Sequence, residues 1–361
     1  MSRPRARVAT APRPGPGPGP GRRSAAVLAP VVGVGLGCAA DLLFADPRRG
    51  HPVAAFGSFA TRLERACYAD SRGRGVLHAA VATGGVVALA AGVDRTVRGR
   101  PVASALFTAA AVWAALGGTS LADEGEAMAD LLESDDLAGA RKRLSHLCAR
   151  DASDLDAGEL ARASVESLAE NLSDAVIAPL FWAGIAGAPG VLGYRAANTL
   201  DAMVGYRSAR YRNFGWASAR LDDLVNLAPA RLSVGLIALA AVGRGGTGGG
   251  SGGAARQAWT TGLGEGAHHP SPNAGYPEAA MAGALGVRLG GGRNNYHGQV
   301  EQRPALGADG REVDAADLRD AVTMVRRTTV LAMAATLIVR LTGVAVGLWR
   351  GRHRRGDLAG S

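Results

Sequence analysis

Carboxylates recur every four residues in SVESLAENLSDAVIAPLFW (164–182): Glu166, Glu170 and Asp174. On a helix that spacing puts all three on one face. Like charges there repel by roughly a few tenths of a kcal/mol per neighbouring pair unless a cation lies among them. Hard divalent cations such as Mg²⁺ select such oxygens and carry substrate phosphates with them. The stripe also runs into an uncharged segment ending at Tyr194. Ionisable groups at membrane depth are costly and mark functional sites. A solvated helix face is the bland alternative; the adjoining apolar run favours a cation site with Glu166, Glu170 and Asp174 as its catalytic and metal-holding carboxylates.

Three further constellations follow the same logic. In YRAANTLDAMVGYRSARYRNFGWASARLDDLVNLAPAR (194–231), Arg195, Asn198 and Asp201 lie on one helical edge. Gly205 breaks the pattern before Tyr206, Arg207, Arg210 and Tyr211, and Asp222, Asp223 and Asn226 form a second acidic group. Arginines and tyrosines beside a bend suit the grip of a phosphate-bearing ligand. An interfacial helix with snorkelling Tyr and Arg fits the spacing equally well. In HPSPNAGYPEAAMAGALGVRLGGGRNNYHG (269–298), Pro277 and Glu278 read as a first helical turn after the Asn273–Gly275 bend, whose free N–H groups would face an anion. Gly290–Gly292 should end that helix; an ordinary capped helix is the competing view. In DLLFADPRRGHPVAAFG (41–57), Asp46, His51 and the arginines at 48 and 49 suit phosphate or metal, although a histidine before proline is more often structural. GVGLG at 33–37 lacks the Lys-Ser/Thr of a nucleotide loop and reads as a small-residue helix face.

These groups need a scaffold. The 361 residues are 47% hydrophobic but only 5% aromatic, and 52 are glycine, a composition suited to close helix contacts in lipid. Uncharged runs at Ser24–Ala40, Gly75–Val93, Pro101–Ala122 and Ala175–Tyr194, and weaker ones at Leu227–Gly243 and Thr328–Trp349, are each about long enough to cross a ~30 Å hydrocarbon layer. The expected fold is all-α: a polytopic integral membrane protein with re-entrant or broken helices and helical cytoplasmic segments. Residues 24–349 form its enzyme domain. A basic Pro/Gly tail (1–23) precedes it, a basic tail (350–361) follows, and a flexible Gly/Ser linker occupies 244–253. The net charge of +9 resides largely in the tails, with six Arg before residue 24 and four in 349–356. No aromatic-studded basic stripe accompanies it, so nucleic acid is excluded as a partner. Cys38, Cys67 and Cys148 lack ligand spacing and support neither zinc nor a disulfide framework.

The four strings DPRRGHPVAAFG, ESLAENLSDAVIAPLFW, YRAANTLDAMVGYRSARYRNFGWASARLDDLVNLAPARL and SPNAGYPEAAMAGALGVRLGG, spanning 41–298 in this order, resemble the CobD/CbiB family, adenosylcobinamide-phosphate synthases of cobalamin biosynthesis. The resemblance implies an ATP-dependent amide-forming ligase in the lipid bilayer. It would join adenosylcobyric acid to (R)-1-amino-2-propanol O-phosphate, activating the acid as an acyl phosphate before amine attack, with Mg²⁺ as cofactor and ATP as co-substrate. On that basis Glu166, Glu170, Asp174 and Asn171 are expected to serve Mg²⁺·ATP. Arg195, Arg207 and Arg210 would hold phosphate or corrin groups. Asp222 and Asp223 would take a second metal or the incoming ammonium, while Ser271, Asn273 and Gly275 would cradle phosphate. Asp46, His51, Asn198, Asp201, Tyr206, Tyr211, Asn226 and Glu278 complete the substrate- and ATP-binding set. The Gly/Ser linker and the long tail depart from the family pattern.

ATP places the site on the cytoplasmic face of the cell membrane, so both sides of Ala175–Tyr194 must share that face. With Pro179 and Pro189 inside it, this run is expected to be re-entrant or buried rather than a simple span, as is Leu227–Gly243. A homo-oligomer is left open. The competing class is a transporter of a corrinoid or small anion, whose broken helices and midplane polar residues would look similar.

Overall fold

The computed structural model describes residues 20–46, 50–206, 208–245, 253–291, 293–296 and 299–359. Most of the tail at 1–23, the arginines at 48, 49 and 207, and most of the linker lie outside them. Twelve α-helices are described: α1 (Pro20–Phe44), α2 (Pro52–Cys67), α3 (Arg72–Val97), α4 (Pro101–Ala115), α5 (Gly118–Glu133), α6 (Leu137–Leu144), α7 (Ala157–Leu172), α8 (Ala178–Val204), α9 (Trp216–Ala240), α10 (Gly253–Glu265), α11 (Gly275–Leu285) and α12 (Ala315–Ala359). Two antiparallel pairs, β1 (Leu289–Gly290) with β4 (Ala305–Leu306) and β2 (Arg293–Tyr296) with β3 (Gln299–Gln302), follow α11. Six helical stretches are long and apolar enough to cross a membrane, matching the six apolar runs of the sequence. The chain is a multi-pass helical membrane protein.

Small residues let the spans approach closely. A Cβ on Gly33 would lie 2.6 Å from the Ala105 carbonyl oxygen and one on Gly37 2.7 Å from Val112 Cβ, so α1 and α4 pack backbone to backbone along the GVGLG face. The capping pair Asp156/Glu159 starts α7: Asp156 accepts from the Glu159 N–H, and the Glu159 carboxylate accepts from the Asp156 N–H. His51 does the same service for α2, its Nδ1 accepting from the Val53 N–H.

The bundle has two ends. At one, Asp41 at the close of α1 accepts from Thr119, and the Gly117 N–H donates to the Ala175 carbonyl. At the other, Pro30, Asp94, Ser104, Gly187 and Arg340 surround one cavity. α1, α3, α4 and α12 run between these ends.

The segment from α7 to α8 does not. A π turn, Ser173–Ile177, joins the two helices; the Ala178 N–H donates to the Ser173 carbonyl, leaving the carbonyls of Asp174 and Ala175 outside the helical ladder. Pro179 has no N–H to offer the Ala175 oxygen. Gly117 serves that oxygen from across the bundle, at 3.1 Å. The Tyr194 hydroxyl serves the oxygen of Asp174, at 3.0 Å. In a continuous helix residues 174 and 194 would be about 30 Å apart. They touch because the chain reverses at Gly187, which has φ 67 and ψ −152, a backbone region essentially closed to residues with a Cβ. Residues 178–204 are therefore a re-entrant hairpin, with its break at Gly187 immediately before Pro189 rather than at Pro179.

α9 starts beside the turn that follows the hairpin and ends beside the start of α12. The Ala219 N–H bonds back to Gly215 beside the Val204 turn, while Arg244, just beyond α9, pairs with Asp320 at 2.5 Å. α11 closes earlier than the glycine run suggested: Gly286, φ 67, is its left-handed cap, and Leu289–Gly290 already pair as a strand.

Candidate functional site

At the mouth of the hairpin lies a cavity of about 100 Å³, lined by Glu170, Ser173, Asp174, Asp201, Asp222, Asp223, Asn226, Ser271, Asn273 and Ala274. Its walls come from α7, the π turn, the closing end of the hairpin, α9 and the bend before α11. Asn198 ties the walls together: its Nδ2 donates to Asp174 Oδ2 at 3.4 Å and to Asp222 Oδ1 at 3.3 Å. Asn226 Nδ2 donates to the other Asp222 oxygen at 3.0 Å, and Asn226 Oδ1 lies 3.0 Å from the Tyr194 hydroxyl. Asn273 Nδ2 donates to the Asp223 carbonyl at 2.8 Å. Gly205 is needed at the hairpin's exit because a Cβ there would fall 1.8 Å from Asp201 Oδ1.

Apart from Ala274, every lining residue carries a side-chain oxygen; five are carboxylates and none is cationic. Ser173 Oγ and Asn273 Oδ1 are buried without a hydrogen-bond partner among the described residues. Such a lining fits a hard divalent cation held by one or two carboxylates and water. Among the described residues, however, no three acidic, histidine or cysteine side chains converge as a preformed metal cage. The volume suits an ion or an ammonium group with a few waters, not a nucleotide.

Several expected residues lie elsewhere. Glu166 shares a helix with Glu170 but not the cavity: Arg150 reaches its Oε2 at 2.5 Å, the Gly290 N–H donates to Oε1 at 2.8 Å, and both charged side chains are 3% exposed. Arg162, one turn earlier, lies 4.0 Å away. Asn171 faces the loop before α7, donating to the carbonyls of Leu147 and Ser167. His51 contacts Asp46 at 3.3 Å, outside the cavity lining. Arg210 pairs with the largely buried Glu64 at 2.8 Å and stacks over Tyr68, and Tyr211 donates to the same Glu64 oxygen at 3.1 Å. Arg195 lines a separate, mainly apolar crevice with Pro52 and Phe56, its Nε buried and unpartnered. Arg207 lies outside the described residues.

Around α11, Ser271 Oγ accepts from the N–H groups of Asn273 and Ala274 and so closes the bend itself. Gly275 is wedged against Gly266 and His269, where a Cβ would lie 2.3 Å from the Gly266 oxygen. Glu278 is fully buried, with Arg303 at 3.6 Å and His269 Nε2 at 3.9 Å. Burial pushes its carboxyl well above the usual range; Glu170 and Glu166 add to the rise, while Arg303 and Arg150 oppose it. Burial, then Asp201 and Glu170, raises the Tyr206 phenol, placing that half-exposed ring beside the acidic cluster.

The sequence reading missed Ser173, Arg150, Arg162 and Glu64. Only Arg162 had a legible signal, four residues before Glu166. Of the arginines expected among the carboxylates, Arg210 is drawn into an ion pair with Glu64 and Arg195 lines a separate crevice.

The class defined by this arrangement is a multi-pass helical membrane protein whose re-entrant hairpin carries an acidic, amide-braced cleft. The chain belongs to the CobD/CbiB family: the family described as CobD/Cbib protein matches residues 34–325. It is 51% identical over 311 residues to the cobalamin biosynthesis protein CobD of Mycobacterium tuberculosis, covering 86% of this chain and 95% of that one. The protein of the same description from Geobacter metallireducens is 44% identical, with 84% and 95% covered, and that from Rhodobacter capsulatus 42%, with 90% and 98% covered. No solved structure matches the chain.

Proposed function

We propose that the protein acts in cobalamin biosynthesis as an adenosylcobinamide-phosphate synthase, an ATP- and Mg²⁺-dependent ligase. It joins the carboxylate of adenosylcobyric acid to the amine of (R)-1-amino-2-propanol O-phosphate. The family and its named relatives support the pathway. The observation that carries the site is the pair Asp174 and Asp222 bridged by Asn198 at the hairpin mouth.

Five carboxylates repel a phosphorylated substrate unless a cation intervenes, and they attract an ammonium. Glu170 and Asp174 are the residues that would hold Mg²⁺, with water completing its shell, and the ion would supply charge neutralisation for ATP. Asp222, oriented by Asn198 and Asn226, would receive the substrate ammonium and take the proton the amine must lose. The corrin carboxylate takes the γ-phosphoryl group of ATP, releasing ADP; the freed amine attacks this acyl phosphate, forming the amide and releasing phosphate. Burial of Tyr194 and Asn226 behind the cluster keeps its geometry fixed and water few.

The test is purified protein incubated with adenosylcobyric acid, aminopropanol phosphate, ATP and Mg²⁺, read by mass spectrometry. Amide product and equimolar ADP, both absent when ATP is omitted, are expected. Corrinoid flux into proteoliposomes without ATP turnover or amide would replace this reading with a transporter.

A further inference from the structure

The end of the bundle opposite the acidic cleft holds a second cavity, of about 570 Å³. It forms where the hairpin reverses. Its walls are the Gly187–Pro189 tip, the start of α1, the polar end of α3 with Asp94, Arg95 and Arg98, the hydroxyl residues Ser104 and Thr108 of α4, and Arg340 of α12. Three arginines oppose one aspartate, and that aspartate is already paired with Arg98 at 2.9 Å.

Arg340 is the telling residue. It sits within a helix apolar enough to span the membrane, after 25 residues of α12, and its Nε is buried without a hydrogen-bond partner. Asp94 of the same cavity acts on its guanidinium only from beyond ion-pair distance and is shared with Arg98. Its terminal nitrogen instead reaches the hairpin tip, 2.7 Å from where a Cβ on Gly187 would stand. An arginine at membrane depth is costly and normally finds a counter-charge. Gly187 keeps room for it. The backbone restarting after Gly187 has helical N–H groups with no carbonyl one turn before them, and Pro189 occupies the first turn, where its missing N–H costs nothing. Arg340, Arg95 and these N–H groups converge on a hydroxyl-lined space of a size for a phosphate and its substituents.

We infer that this distal cavity is a phosphate site, in which Arg340 and Arg95 grip the phosphate of an anionic phospholipid headgroup and so fasten the hairpin tip to α12. The source is a lipid because the cavity is walled by residues of α1, α3, α4 and α12, all in helical stretches apolar enough to span the membrane, at the basic end of α3. Free phosphate has the same chemistry and is separated by the test. The site is independent of the acidic cleft and of the reaction proposed there.

The experiment uses the full chain in nanodiscs of phosphatidylcholine, with phosphatidylglycerol titrated in, and thermal unfolding as the readout. Phosphatidylglycerol should raise the Tm by roughly 3–6 °C. Arg340→Gln should abolish the rise, Arg340→Lys should retain most of it, and Arg95→Gln should weaken it. Inorganic phosphate, added to phosphatidylcholine discs alone, should give no rise. Equal responses of wild type and Arg340→Gln would overturn the site, as would no response in wild type. A full rise with inorganic phosphate alone would overturn the lipid as its occupant. The Lys variant guards against loss of folding being read as loss of binding.

Discussion

Asp174 and Asn198 are 24 positions apart, yet Asn198 Nδ2 lies 3.4 Å from Asp174 Oδ2. The same amide reaches Asp222, so one side chain of α8 braces two carboxylates, one from the π turn and one from α9. Asn198→Leu keeps the volume and removes the brace. It should lower kcat/KM for amide formation roughly 100-fold, the scale of losing one placed polar group, while leaving the Tm within a few degrees. Steady-state kinetics on the folded variant measure it.

The hairpin turns on Gly187, whose positive φ and proximity to Arg340 leave no space for a side chain. Gly187→Ala should destabilise the protein by about 1–3 kcal/mol and reduce activity, although the residue is remote from the cleft. Thermal unfolding and the amide assay together check this.

The buried Arg150–Glu166 pair predicts opposite results for single and double changes. Arg150→Ala strands a carboxylate and should cost about 3–5 kcal/mol. Replacing both residues with methionine should recover most of that loss. A Glu166 that serves the metal directly would instead leave the double variant stable but without Mg²⁺ dependence.

Glu278 gives stability a sign with pH. Its ordinary value is 4.5, and burial raises it well above that in the folded protein. Between the two values the folded chain keeps a proton that the unfolded chain releases, so stability is full below about 4.5 and falls as pH rises through the folded value. Glu278→Gln has no proton to release. Its Tm should decline less than that of wild type from pH 5 to 8, as followed by calorimetry.

Re-entry of residues 178–204 places the segments before α7 and after α8 on one side of the membrane. In a cysteine-free background, Ser153→Cys and Ser208→Cys, both exposed, should react with a membrane-impermeant maleimide from the same side. Arg100→Cys, in the turn between α3 and α4, should react from the other. Opposite labelling of the first two would refute the hairpin.

How much of this was legible varies by residue. Six apolar runs predict six candidate spans, because transfer into lipid depends on composition over about 20 residues and little else. Pro189 and the motif argument pointed to a broken segment, and Asp174, Asp201, Asp222, Asn226 and Asn273 were singled out by type and spacing. The sequence could not separate Glu166 from Glu170. Helical periodicity assigns both to one face but says nothing of which neighbour packs there, and Arg150 and Gly290 come from distant positions. Nor could it place the break at Gly187 rather than Pro179, since a proline after a π turn is accommodated once another N–H serves the freed carbonyl.

By itself, then, the sequence determined the class of protein, its spans and a pool of acidic and amide residues, all properties of local composition and period. The tertiary structure alone decided which of them meet. Ion pairs of Glu166, Arg210 and Glu64 are drawn off into the scaffold because buried charges must be matched where they lie. The remaining carboxylates converge because one glycine turns the chain back on itself inside the bundle.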